Sequence, residues 1–466
     1  MVALAKELST AAPCGGLESP PARLWATPLV LLGIRICLAG RECNGYGGGM
    51  QDKELYQAIL GNTTPWHVAE VRLNATAQTI EIEMVLNDEK ERWVCPTCGA
   101  AMHGHGRERR TWRHLDSCQF KTLVVADVPR VRCLIHETQM VQVPWASPRG
   151  RFTAIFERFA IDVMLSCATS KASELLRISW DEADGIKQRA VVRGLARRKD
   201  EPVRRVCVDE KAVGVGQTYV TVVSSLDAGH ARVLYLGDDR TEESLDGFWL
   251  GMTEERRHGV EAIAMDMWKA FMNSTLKRVP QAIDKIVHDC YHLATYMNKA
   301  VDQVRRAEHA ALDYCNDDSL KGTRMLWLYG KENVPDKWIK RFRTLATNTK
   351  LKTAKAWAIK ELWRDFWTSP DEDRAAQTFK EWYREAMATR LEPVKKVARM
   401  FKAHLRNILT YFRLRISNGP AEAINSRIQE LVQQSCGYRN RERFKCDVFF
   451  HLGGLDLYPA QCKTQH

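Results

Sequence analysis

Two closely spaced pairs of metal-binding side chains restrict the architecture of the first third of this chain. Cys95 and Cys98 form a CxxC pair, and Cys133 and His136 form a CxxH pair after 34 intervening residues. Each pair can close a tight turn, and three thiolates with one imidazole complete the tetrahedron that zinc prefers. Two strand-like segments between the pairs, 120–125 and 128–133, beside the basic segment 107–113, favour a zinc ribbon.

Other interpretations of these cysteines stay open. A redox CxxC pair, or two coincidental cysteine pairs, would give no zinc site. Rival ligands lie in the same segment, namely His103, His105, His114 and Cys118. If zinc binds, four protein ligands leave no open coordination position, so the site is structural. Residues 103–132 contain seven Lys/Arg and three Asp/Glu. This excess of positive charge is suited to phosphate contact, but an ordinary solvated hairpin would also have it.

A pattern of three helices follows the ribbon. Residues 152–165 and 170–178 have helical apolar spacing, and Ser179 with Glu182 forms a capping box for a third helix. We predict that this third helix, which runs to about Arg198, is a DNA recognition helix. The basic side chains predicted to contact DNA are Lys187, Arg189, Arg193 and Arg197. Thirteen Lys/Arg against eight Asp/Glu in residues 149–205 favour phosphate binding.

From residue 204 the pattern becomes strand, strand, strand, helix, strand, helix, strand. The predicted strands are 205–209, 218–226, 231–236, 260–266 and 283–288, and the predicted helices are 242–257 and 268–279. Antiparallel hairpins followed by alternating helices and strands predict a ribonuclease-H-like sheet. The fold class is therefore multidomain α/β, with a zinc ribbon, a helix-turn-helix and this sheet.

Three acidic residues stand where such a sheet would bring them together. Asp209 and Asp266 each end a predicted strand, and neighbouring carboxylates are costly unless a divalent cation neutralises them. Glu422 lies in the predicted first turn of a helix that Asn418 can cap. Taken singly, each has a simpler interpretation, because Asp often forms turns and Glu often complements a helix dipole.

The ordered motifs resemble the zinc-ribbon DDE transposases of bacterial insertion sequences. The similarity covers residues 50–466 and rests on CxxC with CxxH, the helix-turn-helix, VDE, AMD, HDCYH, SNGPAEAIN and GYRNRERF. It implies Asp209, Asp266 and Glu422 as the catalytic acids. We expect Asp289, His292 and Asn425, which lie in the same motifs, to be supporting residues. His136 departs from the pattern because cysteine is commoner there, and Ala423 stands where glycine is usual.

The resemblance and the chemistry of carboxylates agree on a mechanism. Three acids can hold two Mg²⁺ or Mn²⁺ ions about 3.5 to 4 Å apart, activating a water or a DNA 3′ hydroxyl and stabilising the departing oxygen. Asp289 and His292 would orient a metal ligand or a phosphate, or alternatively form a helix-start hydrogen bond.

The C-terminal part of the chain is strongly basic. Residues 390–445 hold 13 Lys/Arg and four Asp/Glu, close to the net charge of +12 of the whole chain. The candidates for phosphate contact here are Arg427, Arg439, Arg441 and Arg443. Six tryptophans fall within residues 293–416, and we expect most of them to form the core of a helical insertion, with one or two available as DNA wedges.

The predicted organisation has six parts. They are an N-terminal extension that is non-native or disordered (1–49), the zinc-ribbon domain (50–148), the helix-turn-helix (149–200), the first part of the catalytic core (201–292), the helical insertion (293–416) and the second part of the core (417–466). Met50 is the expected true start. The apolar stretch 27–40 is too short for a membrane span and is interrupted by Arg35.

We therefore predict a bacterial insertion-sequence transposase that binds terminal inverted repeats and target DNA. The scattered use of its 14 cysteines indicates a reducing compartment, so we expect a cytoplasmic, nucleoid-associated protein with no membrane partner. A homodimer or larger synaptic complex is expected because two DNA ends must be joined. The alternatives are a non-enzymatic DNA-binding regulator with an inactive core, and a nuclease of related fold that cuts without joining.

Overall fold

The chain divides into two compact units. The computed structural model describes residues 51–61, 63–87, 92–198, 201–213, 219–227, 231–416 and 419–460. One unit extends to Phe159 and takes in the chain from Pro459 onward, and the other spans Ala160–Tyr458. The extension 1–49 and the expected start at Met50 lie outside the described residues. The domain boundaries stay predictions.

The first unit is built on a twisted sheet with one helix. Its described elements are α1 (Asp52–Leu60), β1 (Trp66–Asn74), β2 (Thr79–Leu86), β3 (Arg92–Val94), β4 (Ala101–Arg113), β5 (Lys121–Cys133) and β6 (Glu137–Met140). The strand order is β1-β2-β5-β4-β3, and β6 also pairs with β5. Alternate residues of β2 are buried, so one face of the sheet forms the core. The Trp66 and Trp112 rings pack edge-on against Trp145 at 5.2 and 5.4 Å between centroids.

The two strands expected at 120–125 and 128–133 form a single strand, β5. Ala126 and Asp127, between the two predicted segments, remain paired with Arg110 and Arg109 of β4. The long partner strand β4 supplies ladder hydrogen bonds along this stretch, which local alternation of side chains does not reveal.

The predicted helix-turn-helix is present as three helices. They are α2 (Ala154–Ser166), α3 (Thr169–Leu176) and α4 (Trp180–Ala196). The predicted capping box is confirmed, because the Ser179 hydroxyl accepts from the Glu182 N–H at 3.2 Å and the Glu182 carboxylate accepts from the Ser179 N–H at 2.9 Å. Ala183, Ile186 and Ala190 of α4 are fully buried.

The second unit contains the mixed sheet expected for the catalytic core. Its strands are β7 (Arg205–Ala212), β8 (Tyr219–Ser225), β9 (Val233–Leu236), β10 (Ala262–Met265) and β11 (Ile286–His288), in the order β11-β10-β7-β8-β9. Strand β10 runs parallel to β7 and β11, whereas β8 runs antiparallel to β7 and β9. The helices that follow the strands are α5 (Glu242–Leu250), α6 (Glu254–His258), α7 (Lys269–Arg278) and α8 (Ala282–Lys285).

Two predicted elements of this core differ in detail. The helix expected at 242–257 is two helices, because α5 ends at Leu250 with Gly251 as its C-cap, and the Thr253 hydroxyl caps α6 by accepting from the Arg256 N–H at 3.3 Å. The strand expected at 283–288 begins only at Ile286, because α8 occupies the preceding residues.

The insertion after β11 is helical. It contains α9 (Cys290–Tyr314), α10 (Arg324–Leu328), a short 3₁₀ turn (Lys331–Asn333), α11 (Asp336–Ala346), α12 (Lys352–Phe366), α13 (Glu372–Ala388), α14 (Glu392–Ala403) and α15 (Leu405–Leu414). Trp327, Trp363 and Trp382 are at most 2% exposed in its core, as expected for an insertion with its own core, whereas Trp338 is 39% exposed.

The last helices return the chain to the sheet. They are α16 (Gly419–Gln434) and α17 (Arg441–Leu452). Ile424 and Ile428 of α16 pack with Val220 and Val222 of β8, which fixes α16 on one face of the sheet. Within the described part of the chain, every helix is too short or too polar to span a bilayer.

Candidate active site and zinc site

Two of the predicted catalytic acids lie side by side at one edge of the core sheet. Val208 of β7 pairs with Met265 of β10 in parallel register. Asp209 and Asp266 are the next residue on each strand path, so the two backbones bring them side by side. Asp266 follows the end of β10 as predicted, but Asp209 does not end its strand, because pairing with β8 continues β7 to Ala212. The adjacency comes from the parallel register of β7 and β10, which sequence alone does not specify.

Hydrogen bonds hold both carboxylates in place. Asp209 accepts from the Glu210 N–H at 2.8 Å and from the side-chain amide of Asn425 at 2.6 Å. Asp266 accepts from the Met267 N–H at 2.6 Å and from the Tyr296 hydroxyl at 3.4 Å. Each carboxylate thus has one backbone donor and one side-chain donor that orient it.

Glu422 approaches the same edge from α16. It lies in the first turn of that helix, while Asn418, its expected cap, lies outside the described residues. Desolvation raises the pKa of Glu422, and the negative charges of Asp289 and Asp209 raise it further. The Glu422 side chain is exposed, and its structural link to Asp209 is the hydrogen bond made by Asn425, three residues further along α16.

His292 stands among three of the acidic residues. One ring nitrogen, Nε2, lies 3.8 Å from Asp209 Oδ1 and 3.8 Å from Asp289 Oδ2, and Nδ1 lies 3.6 Å from Asp266 Oδ2. Asp289 caps α9 by accepting from the Tyr291 N–H at 3.1 Å, so it forms the helix-start bond considered from sequence. It also faces His292, and the two interpretations are compatible.

The electrostatics of these acidic residues favour the binding of a cation. Burial raises the pKa of Asp209, and the negative charge of Asp289 adds to the rise, whereas His292 and the Asn425 hydrogen bond lower it. Neighbouring carboxylates repel one another when both are ionised, and a cation bound between them stabilises their ionised forms. The donor set, three acids and a neighbouring fourth, is of the oxygen type that Mg²⁺ and Mn²⁺ prefer.

Tyr296 is a residue of this site that the sequence analysis missed. Burial raises the pKa of its hydroxyl to about 12, and the charge of Asp266 contributes, so the hydroxyl remains a donor. It lies four residues after His292 on α9, one helical turn further on the same face. The spacing of four residues from His292 is the sequence signal that could have identified Tyr296.

The four predicted zinc ligands come together in the first unit. Cys95 Sγ lies 3.9 Å from His136 Nδ1, Cys133 Sγ lies 3.5 Å from the same nitrogen, and Cys98 Sγ lies 3.7 Å from Cys133 Sγ. A tetrahedron with Zn–S near 2.3 Å and Zn–N near 2.0 Å has edges of about 3.5 to 3.8 Å. Among the described residues, this is the one group of three or more potential ligands whose atoms all lie within 4.8 Å of one another.

The rival ligands have other environments. His114 is buried, and its Nδ1 lies 2.8 Å from the Thr153 hydroxyl. Cys118 is exposed, in a turn with φ of 51°. The N–H groups of Ile135 and His136 lower the pKa of Cys133 to about 6, which favours the thiolate that binds zinc. The Cys₃His set therefore supports the structural zinc expected from sequence.

Most of the basic residues predicted on α4 have partners within the chain. Lys187 is 3% exposed, and its ammonium group donates to the Thr169 hydroxyl at 2.8 Å and pairs with Asp447. Arg193 donates twice to the Leu457 carbonyl, and Arg197 donates to the Tyr458 carbonyl. Arg189 is exposed. The prediction that these side chains contact DNA stays a prediction.

The C-terminal arginines differ in their surroundings. Arg427 and Arg439 are exposed, and Arg441 donates to the Asp238 carbonyl at 3.0 Å. Arg443 pairs with Asp184 at 3.3 Å and lies over the Trp180 ring at 4.7 Å. Their contact with DNA is also a prediction.

Comparison with known proteins identifies the class of this fold and site. A family described as "Transposase" matches residues 206–448, slightly more than half of the 466 residues. The zinc-finger family of transposases IS204/IS1001/IS1096/IS1165 matches residues 91–135, and the helix-turn-helix domain of transposase family ISL3 matches residues 141–191. The chain belongs to transposase family ISL3, a class of enzymes that cleave DNA and transfer its strands.

Two curated relatives extend the similarity over most of the chain. The transposase for insertion sequence element IS1001 of Bordetella parapertussis is 25% identical over 359 residues, which cover 75% of this chain and 86% of that protein. The transposase for insertion sequence element IS1557 of Mycobacterium tuberculosis is 24% identical over 387 residues, which cover 77% of this chain and 86% of that protein. The resemblance predicted from motifs is thus confirmed, and DNA is a partner of this chain.

Proposed function

We propose that this chain is an insertion-sequence transposase that binds the element's terminal inverted repeats and uses Asp209, Asp266 and Glu422 for metal-dependent strand cleavage and strand transfer. The observation that supports the proposal is that Asp209 and Asp266 follow paired residues of β7 and β10, while Asn425 of α16, the helix that carries Glu422, donates to Asp209. The names of the IS1001 and IS1557 relatives support the same activity.

The three carboxylates would hold Mg²⁺ or Mn²⁺. When bound, two such ions would activate the attacking oxygen and stabilise the departing oxygen of an in-line displacement at phosphorus. Asn425 and Tyr296 orient the first two acids by hydrogen bonding. His292 lies between carboxylates that repel one another, so it keeps Asp209, Asp266 and Asp289 at fixed separations.

DNA contacts would come from several parts of the chain. Arg427, on the same helix as the third acid, and Arg439 are exposed and suited to bind the phosphates of the cleaved strand, and Arg441 and Arg443 at the start of α17 are further candidates. The zinc ribbon and the helix-turn-helix would bind the ends. A homodimer or larger synapse, acting at the bacterial nucleoid, would hold two ends and a target together.

The test is a cutting and joining assay with a plasmid that carries both DNA flanks of the gene. The full chain should nick and join in Mg²⁺, and Glu422→Gln should abolish both reactions while the protein still binds the flanks. Glu430→Gln, an exposed position on the same helix α16, is the matched control and should remain active.

The outcomes separate the alternatives. Specific binding without cutting by the unmodified chain would contradict the proposal and favour a DNA-binding regulator. Cutting without joining would favour a nuclease of related fold. Equal activity of Glu422→Gln and Glu430→Gln would remove Glu422 from the catalytic acids.

A further inference from the structure

Helix α4 is enclosed on one flank by the C-terminal segment of the same unit. The buried Lys187 ammonium pairs with Asp447 of α17, which also accepts from the Tyr438 hydroxyl at 2.7 Å. In the opposite direction, Arg443 of α17 pairs with Asp184 of α4, which is only 4% exposed. Two reciprocal ion pairs thus join α4 and α17, and both have at least one buried partner.

The contact continues beyond the end of α17. Arg193 donates to the Leu457 carbonyl at 3.0 and 2.8 Å through two guanidinium nitrogens. Arg198 donates to the carbonyls of Val233, Leu234 and Gly453, each at 3.0 Å. These cations satisfy backbone acceptors of the chain, which is a structural use of positive charge.

Gly194 shows how closely the two segments approach. A Cβ at this position would lie 2.7 Å from the Leu455 Cβ, closer than two carbon atoms can pack. The flank of α4 that carries Lys187 and Arg193 is therefore packed against described residues of the C-terminal segment, which occupy the space that a phosphate backbone would need.

A different stripe of α4 faces outward. It contains Asp181, Gln188, Arg189, Val192 and Leu195, which follow helical spacing and are all exposed. Val192 is 68% exposed, unusually high for an apolar side chain of a packed helix. The Gln188 amide donates to Asp184 at 2.7 Å, and Asp184 is held by Arg443.

The chemistry of this stripe matches base edges in a major groove. Glutamine pairs with adenine, arginine with the O6 and N7 atoms of guanine, and an aliphatic group contacts the thymine methyl. We propose that α4 reads the DNA end with Gln188, Arg189 and Val192, while its cationic flank anchors the helix-turn-helix to α17 and to the segment after it. This inference rests on the proposed function, because it assumes that the chain recognises DNA ends.

The test measures binding of the full chain to a 40-bp duplex taken from each flank of the gene, and to scrambled duplexes, over a series of salt concentrations. Gln188→Ala and Arg189→Ala should each reduce the preference for the flank over the scrambled duplex by at least about 5-fold. Arg384→Ala, an exposed arginine on α13, is the matched control and should keep the preference.

The anchoring flank has its own readout. Lys187→Met should leave the slope of log affinity against log salt unchanged, whereas loss of a phosphate contact would reduce that slope by about 1. Arg193→Gln, at a less buried position, provides the same measurement if Lys187→Met does not fold.

Three results would overturn the inference. A reduced salt slope in Lys187→Met or Arg193→Gln would return those residues to the DNA interface. An unchanged preference in both Gln188→Ala and Arg189→Ala would remove the outward stripe from base reading. If the unmodified chain shows no preference for either flank, the proposed end recognition fails together with this inference; the first two results, obtained with a selective unmodified chain, refute the inference alone.

Discussion

The side-chain amide of Asn425 donates a 2.6 Å hydrogen bond to Asp209 across 216 positions of sequence. Asn425 lies three residues after Glu422, so both occupy one face of α16. This hydrogen bond therefore ties the helix that carries the third acid to the strand that carries the first. The relative position of Asp209 and Glu422 depends on it.

We predict that Asn425→Ala lowers strand cleavage about 10- to 100-fold, the range typical for residues that orient metal ligands. End binding should not change, because the substitution removes an internal contact. Single-turnover cleavage of a flank duplex measures the effect, and Gln433→Ala, an exposed position on the same helix, is the control. Equal rates for Asn425→Ala and Gln433→Ala would contradict the positioning role.

The zinc site predicts one tightly bound zinc per chain. Cys95→Ser should release the metal and lower the melting temperature, because a structural site contributes directly to folding. His136→Cys should retain it, since a fourth thiolate also completes the tetrahedron. Elemental analysis after gel filtration measures the zinc content. Cys118→Ser should keep a full complement, and loss of zinc from that variant would argue against the Cys₃His set.

We predict that buried His114 makes the stability of the folded chain depend on pH. Burial lowers its pKa to about 4 in the folded chain, whereas an unfolded histidine has a pKa of about 6.5. Between pH 4 and pH 6.5 the unfolded chain binds this proton and the folded chain does not. The contribution of neutral, buried His114 to the free energy of unfolding is therefore fully present above pH 6.5 and is lost as the pH falls towards 4. Urea unfolding should show that the unmodified chain loses about 2 kcal/mol more between pH 7 and pH 5 than His114→Gln does. An exposed-histidine control, His258→Gln, should behave like the unmodified chain; identical pH profiles for all three proteins would refute the prediction.

We predict that the buried charge of Lys360 stabilises the helical insertion. Its ammonium group donates to the carbonyls of Trp327, Leu328 and Tyr329 at 3.1, 3.1 and 2.7 Å, at the end of α10. Lys360→Met should destabilise the chain by about 2 to 3 kcal/mol, because buried acceptors lose their donor. Lys355→Met, exposed on the same helix α12, should change stability little. Thermal unfolding of the two variants compares them directly, and equal melting temperatures would contradict the prediction.

Local sequence signals predicted the elements of this protein well. The CxxC and CxxH spacing identified Cys95, Cys98, Cys133 and His136, and the capping box at Ser179 placed the start of α4. These features depend on residues close together in sequence, so spacing alone carries them.

Contacts between distant segments were not readable in the same way. Lys187 was predicted as a DNA contact from its place on a basic helix, but it pairs with Asp447, and no local pattern connects two residues so far apart. Likewise β5 continues through Ala126 and Asp127 because β4 pairs with them. Tertiary pairing overrides local propensity at both places.

The central claim is that Asp209, Asp266 and Glu422 form one divalent-cation site. Its most direct test is Mn²⁺ binding to the zinc-loaded full chain, measured as the loss of the free-ion signal in electron paramagnetic resonance. Asp266→Asn and Glu422→Gln should each weaken binding at least about tenfold, because each removes one of three negative ligands. Glu430→Gln should bind Mn²⁺ as the unmodified chain does. Equal Mn²⁺ affinity in all four proteins would contradict the claim.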